Sequence, residues 1–183
     1  MSNKDGGREA EFGELYRSHL SAIARYATRR TSPDDAIDAV AETFVVAWRR
    51  FEEIPPGSAT LPWLFGVARR VLANQRRGNV RRHRLHDRLC AEWIRPVANI
   101  EASDLSPLGR ALERLSEPDR DVLLMAGVEE LSPAEIAAVL DVSPEVARNR
   151  LSRARARLRG TLAEIRTTPA GHLPKKPTNE GDR

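Results

Sequence analysis

Residues Ser132 to Leu158 read SPAEIAAVLDVSPEVARNRLSRARARL. Each Ser-Pro pair is a helix start, because a serine side chain caps the first free amides and proline fits the first helical position. The spacing therefore predicts a short helix over Ser132–Leu140, a turn at Asp141-Val142-Ser143, and a second helix from Pro144. Ile136, Val139 and Leu140 face inward on the first of these. Projected at about 100° per residue, the second puts Ala147, Leu151, Ala154 and Leu158 on one side, with Val146 at the margin. Arg148, Asn149, Ser152 and Arg155 lie opposite, flanked by Arg150, Arg153 and Arg157. A surface helix that stood alone would mix in acids, yet none follows Glu145 until Glu164. Two short helices across such a turn form a helix-turn-helix, whose second helix enters the DNA major groove. Arg148 and Asn149 carry the donor geometry that base edges need, and the flanking arginines supply charge for phosphates.

Outward from this motif, the charge is poled. The 183-residue chain has a net charge of only +4. Yet the stretch from Pro62 to Arg88 is arginine-rich with a single acid, Asp87, and Pro144 to Gly160 is arginine-rich with a single acid, Glu145. Asp34, Asp35, Asp38, Glu42, Glu52 and Glu53 crowd one short region, and Glu101 to Glu145 is acidic again. Two basic blocks separated by acidic ones imply two nucleic-acid contacts and at least one surface of another kind. Aromatics are 5% of the chain, so the core is built mainly from Leu, Val, Ile and Ala. Helical spacing recurs throughout and strand-like alternation is rare, which predicts an all-α protein. The single cysteine, Cys90, excludes an internal disulfide. No apolar signal core or bilayer-length run is present, so a cytoplasmic protein without membrane insertion is expected.

Along the chain, polar residues 1–8 are expected to fray, and a first helix is expected from Glu9 to about Arg29, with Phe12, Leu15, Tyr16, Leu20, Ile23 and Tyr26 on its stripe. Ser32-Pro33-Asp34-Asp35 starts a second helix that runs to about Phe51, with Ile37, Val40, Phe44, Trp48 and Phe51 expected to be buried. Ile54 to Ser58 breaks it. A third helix runs from Thr60 or Leu61 towards Arg88, with Trp63, Leu64, Val67, Ala68, Val71 and Leu72 inward and a basic outer face. Trp48 and Trp63 sit on apolar stripes, which favours core over base-stacking platforms. The second half holds four helices, opened at Ser106-Pro107, Ser116-Glu117-Pro118, Ser132-Pro133 and Ser143-Pro144. The expected organisation is two small helical domains, 9–88 and 105–166, a flexible linker over 89–104, and a disordered tail over 167–183. His83, His86 and Cys90 lack a fourth ligand in pattern, so no metal or other cofactor is expected. No nucleophile motif, phosphate loop or carboxylate cluster is present, and the chain is not expected to be an enzyme.

Three blocks in series resemble the extracytoplasmic-function group of bacterial RNA polymerase sigma factors, within the primary-sigma family. DDAIDAVAETFVVAWRRF resembles the helix that grips RNA polymerase, and LPWLFGVARRVLANQRR the helix that faces the minus-ten promoter element. LSEPDRDVLLMAGVEELSPAEIAAVLDVSPEVARNRLSRARARLR resembles the domain that reads the minus-thirty-five element. The likeness covers about residues 9–165. It implies that Asp34, Asp35, Asp38, Ala41, Glu42 and Val45 meet core polymerase at its β′ clamp helices, with a further contact between the second domain and the β flap. It implies that Arg69, Arg70, Asn74, Arg76 and Arg77 engage the minus-ten strand, with the loop Glu52–Thr60 capturing a flipped base. It implies that Arg148, Asn149, Arg150, Ser152, Arg153, Arg155 and Arg157 engage the upstream element. An anti-sigma factor is a further partner the resemblance allows. The sequence departs from the family pattern at Ala41, Asn74, Asp141 and Ala147, where Gln, Asp, Gly and Val are common. Aspartate tolerates the left-handed backbone that a glycine would adopt in the turn at Asp141. A stand-alone helix-turn-helix repressor, or a two-domain effector-binding regulator, would explain residues 105–165 but leave the basic block 62–88 without purpose. A polymerase adaptor that reads no promoter would waste the second helix of the motif.

Overall fold

A computed structural model describes the backbone of residues 2–89 and 106–167, and the side chains of 6–78 and 106–167. Within these bounds the chain is helical. The elements are α1 (Ser2–Thr28), α2 (Pro33–Arg49), α3 (Thr60–Leu89), α4 (Pro107–Arg114), α5 (Glu117–Gly127), α6 (Pro133–Leu140) and α7 (Pro144–Thr167). Two short 3-10 turns, Phe51–Glu53 and Gly57–Ala59, lie between α2 and α3. The expected linker from residue 90 on and the expected tail beyond residue 167 lie outside the described residues, as do the side chains of His83, His86 and Cys90. Among the described residues, no helix is long and apolar enough to cross a membrane.

The helix starts follow from their caps. Ser32 accepts a hydrogen bond from the Asp35 amide at 3.3 Å, and Ser106 accepts one from the Gly109 amide at 3.1 Å. The first helix begins before Glu9, where fraying was expected. Arg8 anchors that end: its guanidinium lies 4.7 Å from the Trp48 ring centroid and donates to the Trp48 carbonyl at 2.9 Å.

The three helices of the first half close around Ile23, Tyr26, Ala39, Phe44, Ala47, Leu64 and Val71. The buried face of α2 differs in part from the one expected: Phe44 is buried and Val40 half-buried, but the stripe is shifted. Ala36, Ala39, Thr43, Phe44 and Ala47 are inside, whereas Ile37 is 69% exposed and Trp48 37% exposed. Small residues let α2 lie close to its neighbours, and Thr43 satisfies its own hydroxyl by donating to the Ala39 carbonyl at 2.6 Å. Ile37, Val45 and Trp48 are left on an adjacent outward stripe.

In the second half, Val122, Met125, Ile136, Val139, Ala147, Leu151 and Ala154 form the core. The two halves do not stand apart. On α3 every residue from Leu64 to Ala68 is buried, so this helix is covered on two sides. One side packs on α1 and α2, the other on α6. A Cβ placed on Gly66 would lie 3.7 Å from the Val139 carbonyl oxygen and 3.8 Å from the Val139 Cα, so the two helix backbones approach closely there. Residues of both halves join in one continuous apolar cluster.

Candidate nucleic-acid and polymerase interfaces

The placement of α7 is set by local chemistry at each end of the turn. Ser132 accepts from the Glu135 amide at 3.3 Å, while Glu135 accepts from the Ser132 amide at 2.8 Å. This reciprocal capping box fixes the start of α6. The Ser132 hydroxyl bond and its backbone amide hold the Glu135 carboxyl below the usual carboxylate range, against a smaller opposing effect of burial. The helix ends at Asp141, whose backbone is left-handed at φ 56°, ψ 51°, and the Val142 amide reaches back to the Ala137 carbonyl at 3.1 Å. Ser143 then accepts from the Val146 amide at 3.3 Å and opens α7.

α7 buries Ala147, Leu151 and Ala154. Arg148, Asn149, Arg150, Ser152, Arg153, Arg155 and Arg157 are all exposed. Arg157 alone among them grips an acid of its own domain, donating to both oxygens of Asp119 at 2.8 and 2.6 Å. Burial works to raise the Asp119 carboxyl, but the Ser116 hydroxyl and Arg157 together hold it below its ordinary value. Arg157 thus ties α7 to α5 in addition to carrying charge.

α2 presents a second face. Asp34, Asp38, Ala41, Glu42 and Val45 are exposed, and Ile37 and Trp48 join them. Asp35 is only half-exposed and is drawn into the cap, where Ser32 donates to it at 2.9 Å. Ile37 and Trp48 were missed as surface residues; the signal was the alanine-rich stripe beside them, which suits close packing better than they do. Trp48 packs edge-on to Phe12 at 5.1 Å, and Trp63 is half-buried with Arg50 lying 5.5 Å from its ring centroid.

The third set sits on α3 and is engaged by the second half. Arg69 pairs with Asp121 at 3.3 Å, Arg70 with Asp141 at 3.7 Å, and Arg76 with Glu117. Arg76 also donates to the Arg30 carbonyl at 2.8 Å. Arg77 donates to the Asn74 side chain. The loop between α2 and α3 is braced by the Arg50–Glu53 ion pair and by Thr60 donating to the Pro55 carbonyl at 2.7 Å.

Residues 15–82 match the family model described as Sigma-70 region 2, and residues 105–158 match Sigma-70, region 4. The ECF RNA polymerase sigma factor SigL of Mycobacterium tuberculosis is 32% identical over 178 residues, covering 92% of this chain and 99% of that protein. The chain belongs to the extracytoplasmic-function group of RNA polymerase sigma factors.

The RNA polymerase sigma factor CnrH of Cupriavidus metallidurans is also similar, at 30% identity over 173 residues, covering 85% of this chain and 88% of that one. Among solved structures, the sigma factor RpoE in complex with the anti-sigma factor NepR from Bartonella quintana matches with a TM-score of 0.65 and 28% identity, covering 84% of this chain and 97% of that one. The region 2 match spans most of α1 to α3, the helices that carry the acidic face and the basic block. The region 4 match spans α4 to α6 and α7 as far as residue 158. As a sigma factor, the protein acts in promoter-specific transcription initiation.

Proposed function

We propose that the three faces divide the work of initiation between them. The outer face of α2, with Asp34, Asp38, Ala41, Glu42 and Val45, docks on the β′ clamp helices of core polymerase, and Asp35 orders the helix start beneath it. Its acids suit a basic partner helix, and Ile37 and Trp48 add apolar area at the centre of the contact. The basic face of α3, with Arg69, Arg70, Asn74, Arg76 and Arg77, holds the minus-ten strand while the loop Glu52–Thr60 receives an unstacked base. The exposed face of α7 reads the upstream element, with Arg148 and Asn149 on base edges and Arg150, Ser152, Arg153, Arg155 and Arg157 along the backbone. The second half meets the β flap. Residues 9–88 and 105–166 are the two functional domains, and the polymerase, not this chain, performs the bond chemistry.

The observation that carries this reading is the sorting of α7. Ala147, Leu151 and Ala154 are buried in its own half of the chain, and a continuous arginine-rich face with an asparagine among it is left to solvent. The relative crystallised with an anti-sigma factor supports a protein inhibitor of that kind as a further partner here. Run-off transcription with core polymerase on a promoter library tests the whole. Transcripts from a consensus with two spaced elements are expected, lost on Arg148→Ala together with Asn149→Ala. Initiation that depends on neither element would overturn the reading.

A further inference from the structure

We propose that the acidic residues of the second half stand in for a nucleic-acid strand on α3, and that Arg30 latches them there, so that the free protein is closed until it is opened at a promoter. This rests on the reading of α3 as the strand-binding face.

Four acids of the second half meet arginines of the first. Asp121 bridges Arg30, at 2.8 Å, and Arg69, at 3.3 Å. Glu129 takes Arg30 at 3.0 Å and Arg29 at 3.6 Å. Glu117 and Asp141 take Arg76 and Arg70. Three of these partners, Arg69, Arg70 and Arg76, belong to the strand-binding set. A carboxylate seated beside each guanidinium neutralises the charge a phosphate would seek and repels the phosphate in turn, so the acids and the strand compete for the same face.

The pairs differ in kind. Arg30 lies in the turn between α1 and α2, outside the strand-binding set, and its side chain is 7% exposed. Its guanidinium stacks 3.6 Å from the Tyr26 ring centroid. The Glu129 side chain is 3% exposed. Removing one partner of such a buried group leaves the other charge uncompensated, so this hub opens as a unit. The outer pairs, Arg70–Asp141 and Arg76–Glu117, are solvent-exposed and therefore weak and screened by salt. Between hub and rim runs a cavity of about 150 Å³ lined by Tyr26, Arg69, Arg76 and Asp121 among others, so the seam is not closed by apolar packing alone along its length. In the closed form the outer face of α2 and the polar face of α7 remain exposed. The geometry therefore orders the events: polymerase and upstream contacts form first, and the strand-binding face is released afterwards.

The full chain, labelled at Ser18→Cys and Arg159→Cys in a Cys90→Ser background, reports the separation of the halves by fluorescence energy transfer. The unaltered latch should give high transfer that falls only slightly as salt is raised, because the outer pairs are screened and the buried hub is not. Asp121→Asn with Glu129→Gln should give low transfer at every salt concentration and bind a mixed-sequence single-stranded DNA oligonucleotide about tenfold more tightly, with core polymerase binding unchanged. Glu117→Gln with Asp141→Asn alters only exposed side chains, so folding is secure; it should open partway and gain DNA affinity to a smaller degree. High transfer retained in both variants would overturn the latch. Open variants without a gain in DNA affinity would overturn the exclusion of the strand by the acids. Adding Arg69→Ala and Arg76→Ala to an open variant should remove the gained affinity; a gain that survives would refute the reading of α3 itself, while the transfer signal would still score the latch.

Discussion

Gly66 sits inside the long helix α3, where glycine is a poor residue, and faces the backbone of α6. Replacing it separates helix propensity from interdomain packing. In Gly66→Ala the added methyl meets nothing closer than 3.7 Å, an ordinary van der Waals distance. The helix interior gains about 1 kcal/mol from alanine over glycine, part of it from a less free unfolded chain. In a chain of this size that corresponds to a rise in Tm of about 2–4 °C. Gly66→Leu receives the same propensity benefit but drives a branched side chain into the Val139 backbone. Either the core overpacks, at about 1–3 kcal/mol, or α6 leaves α3 and the halves separate. Thermal unfolding by circular dichroism, paired with small-angle scattering for the radius of gyration, reads both. The alanine variant should melt higher at unchanged radius, and the leucine variant should melt lower or expand. A leucine variant identical to the parent in both measurements would refute the close α3–α6 approach, and a destabilised alanine variant would refute the room for a methyl at Gly66.

Other outcomes follow from the faces. Arg148→Ala or Asn149→Ala should cost about 1–3 kcal/mol at the preferred upstream element in a binding titration, while Arg150→Ala should weaken all DNA alike and reduce the salt slope by about 1. Asp38→Lys with Glu42→Lys should weaken core polymerase binding about tenfold or more by like-charge contact, and leave the thermal stability of the free chain within about 0.5 kcal/mol. Ser132→Ala should remove about 1 kcal/mol of stability by deleting the cap. Because the Glu135 carboxyl is held low in the folded protein, its share of stability is present above the ordinary carboxylate range and fades as pH falls through the lowered value. Acid titration of Tm should therefore show a shallower acid limb in Ser132→Ala than in the parent.

Much of this architecture was legible because the chain states it locally. Ser32-Pro33, Ser106-Pro107, Ser116-Glu117-Pro118, Ser132-Pro133 and Ser143-Pro144 each open a helix where expected. Asp141 takes the left-handed backbone anticipated for it, and Ala147, Leu151 and Ala154 are buried as projected. What escaped was non-local. The inward face of α2 is chosen by how near its neighbours approach, and alanines win that contest over Ile37 and Trp48. The docking of the halves was hidden for a related reason: Phe65 and Gly66 lie off the stripe that serves the first half, and their partner is α6. The uncharged run Leu61–Ala68 held the hint, since a helix apolar on all sides is one covered on all sides. The pairing of Arg69, Arg70 and Arg76 with acids of the second half depends on that docking, and no periodicity within one helix encodes it.

The most direct test of the account compares promoter engagement with and without core polymerase, reading binding by titration and strand opening by the reactivity of unpaired thymines to permanganate. A lone small helix-turn-helix makes few contacts, so the protein by itself should bind promoter DNA weakly and open nothing. Adding core polymerase should give sequence-specific binding and reactive thymines at the minus-ten element, because the unstacking is then offset by contacts of the whole enzyme. Tight, specific promoter binding by the protein alone, unchanged by core polymerase and without strand opening, would contradict the account and leave a repressor in its place.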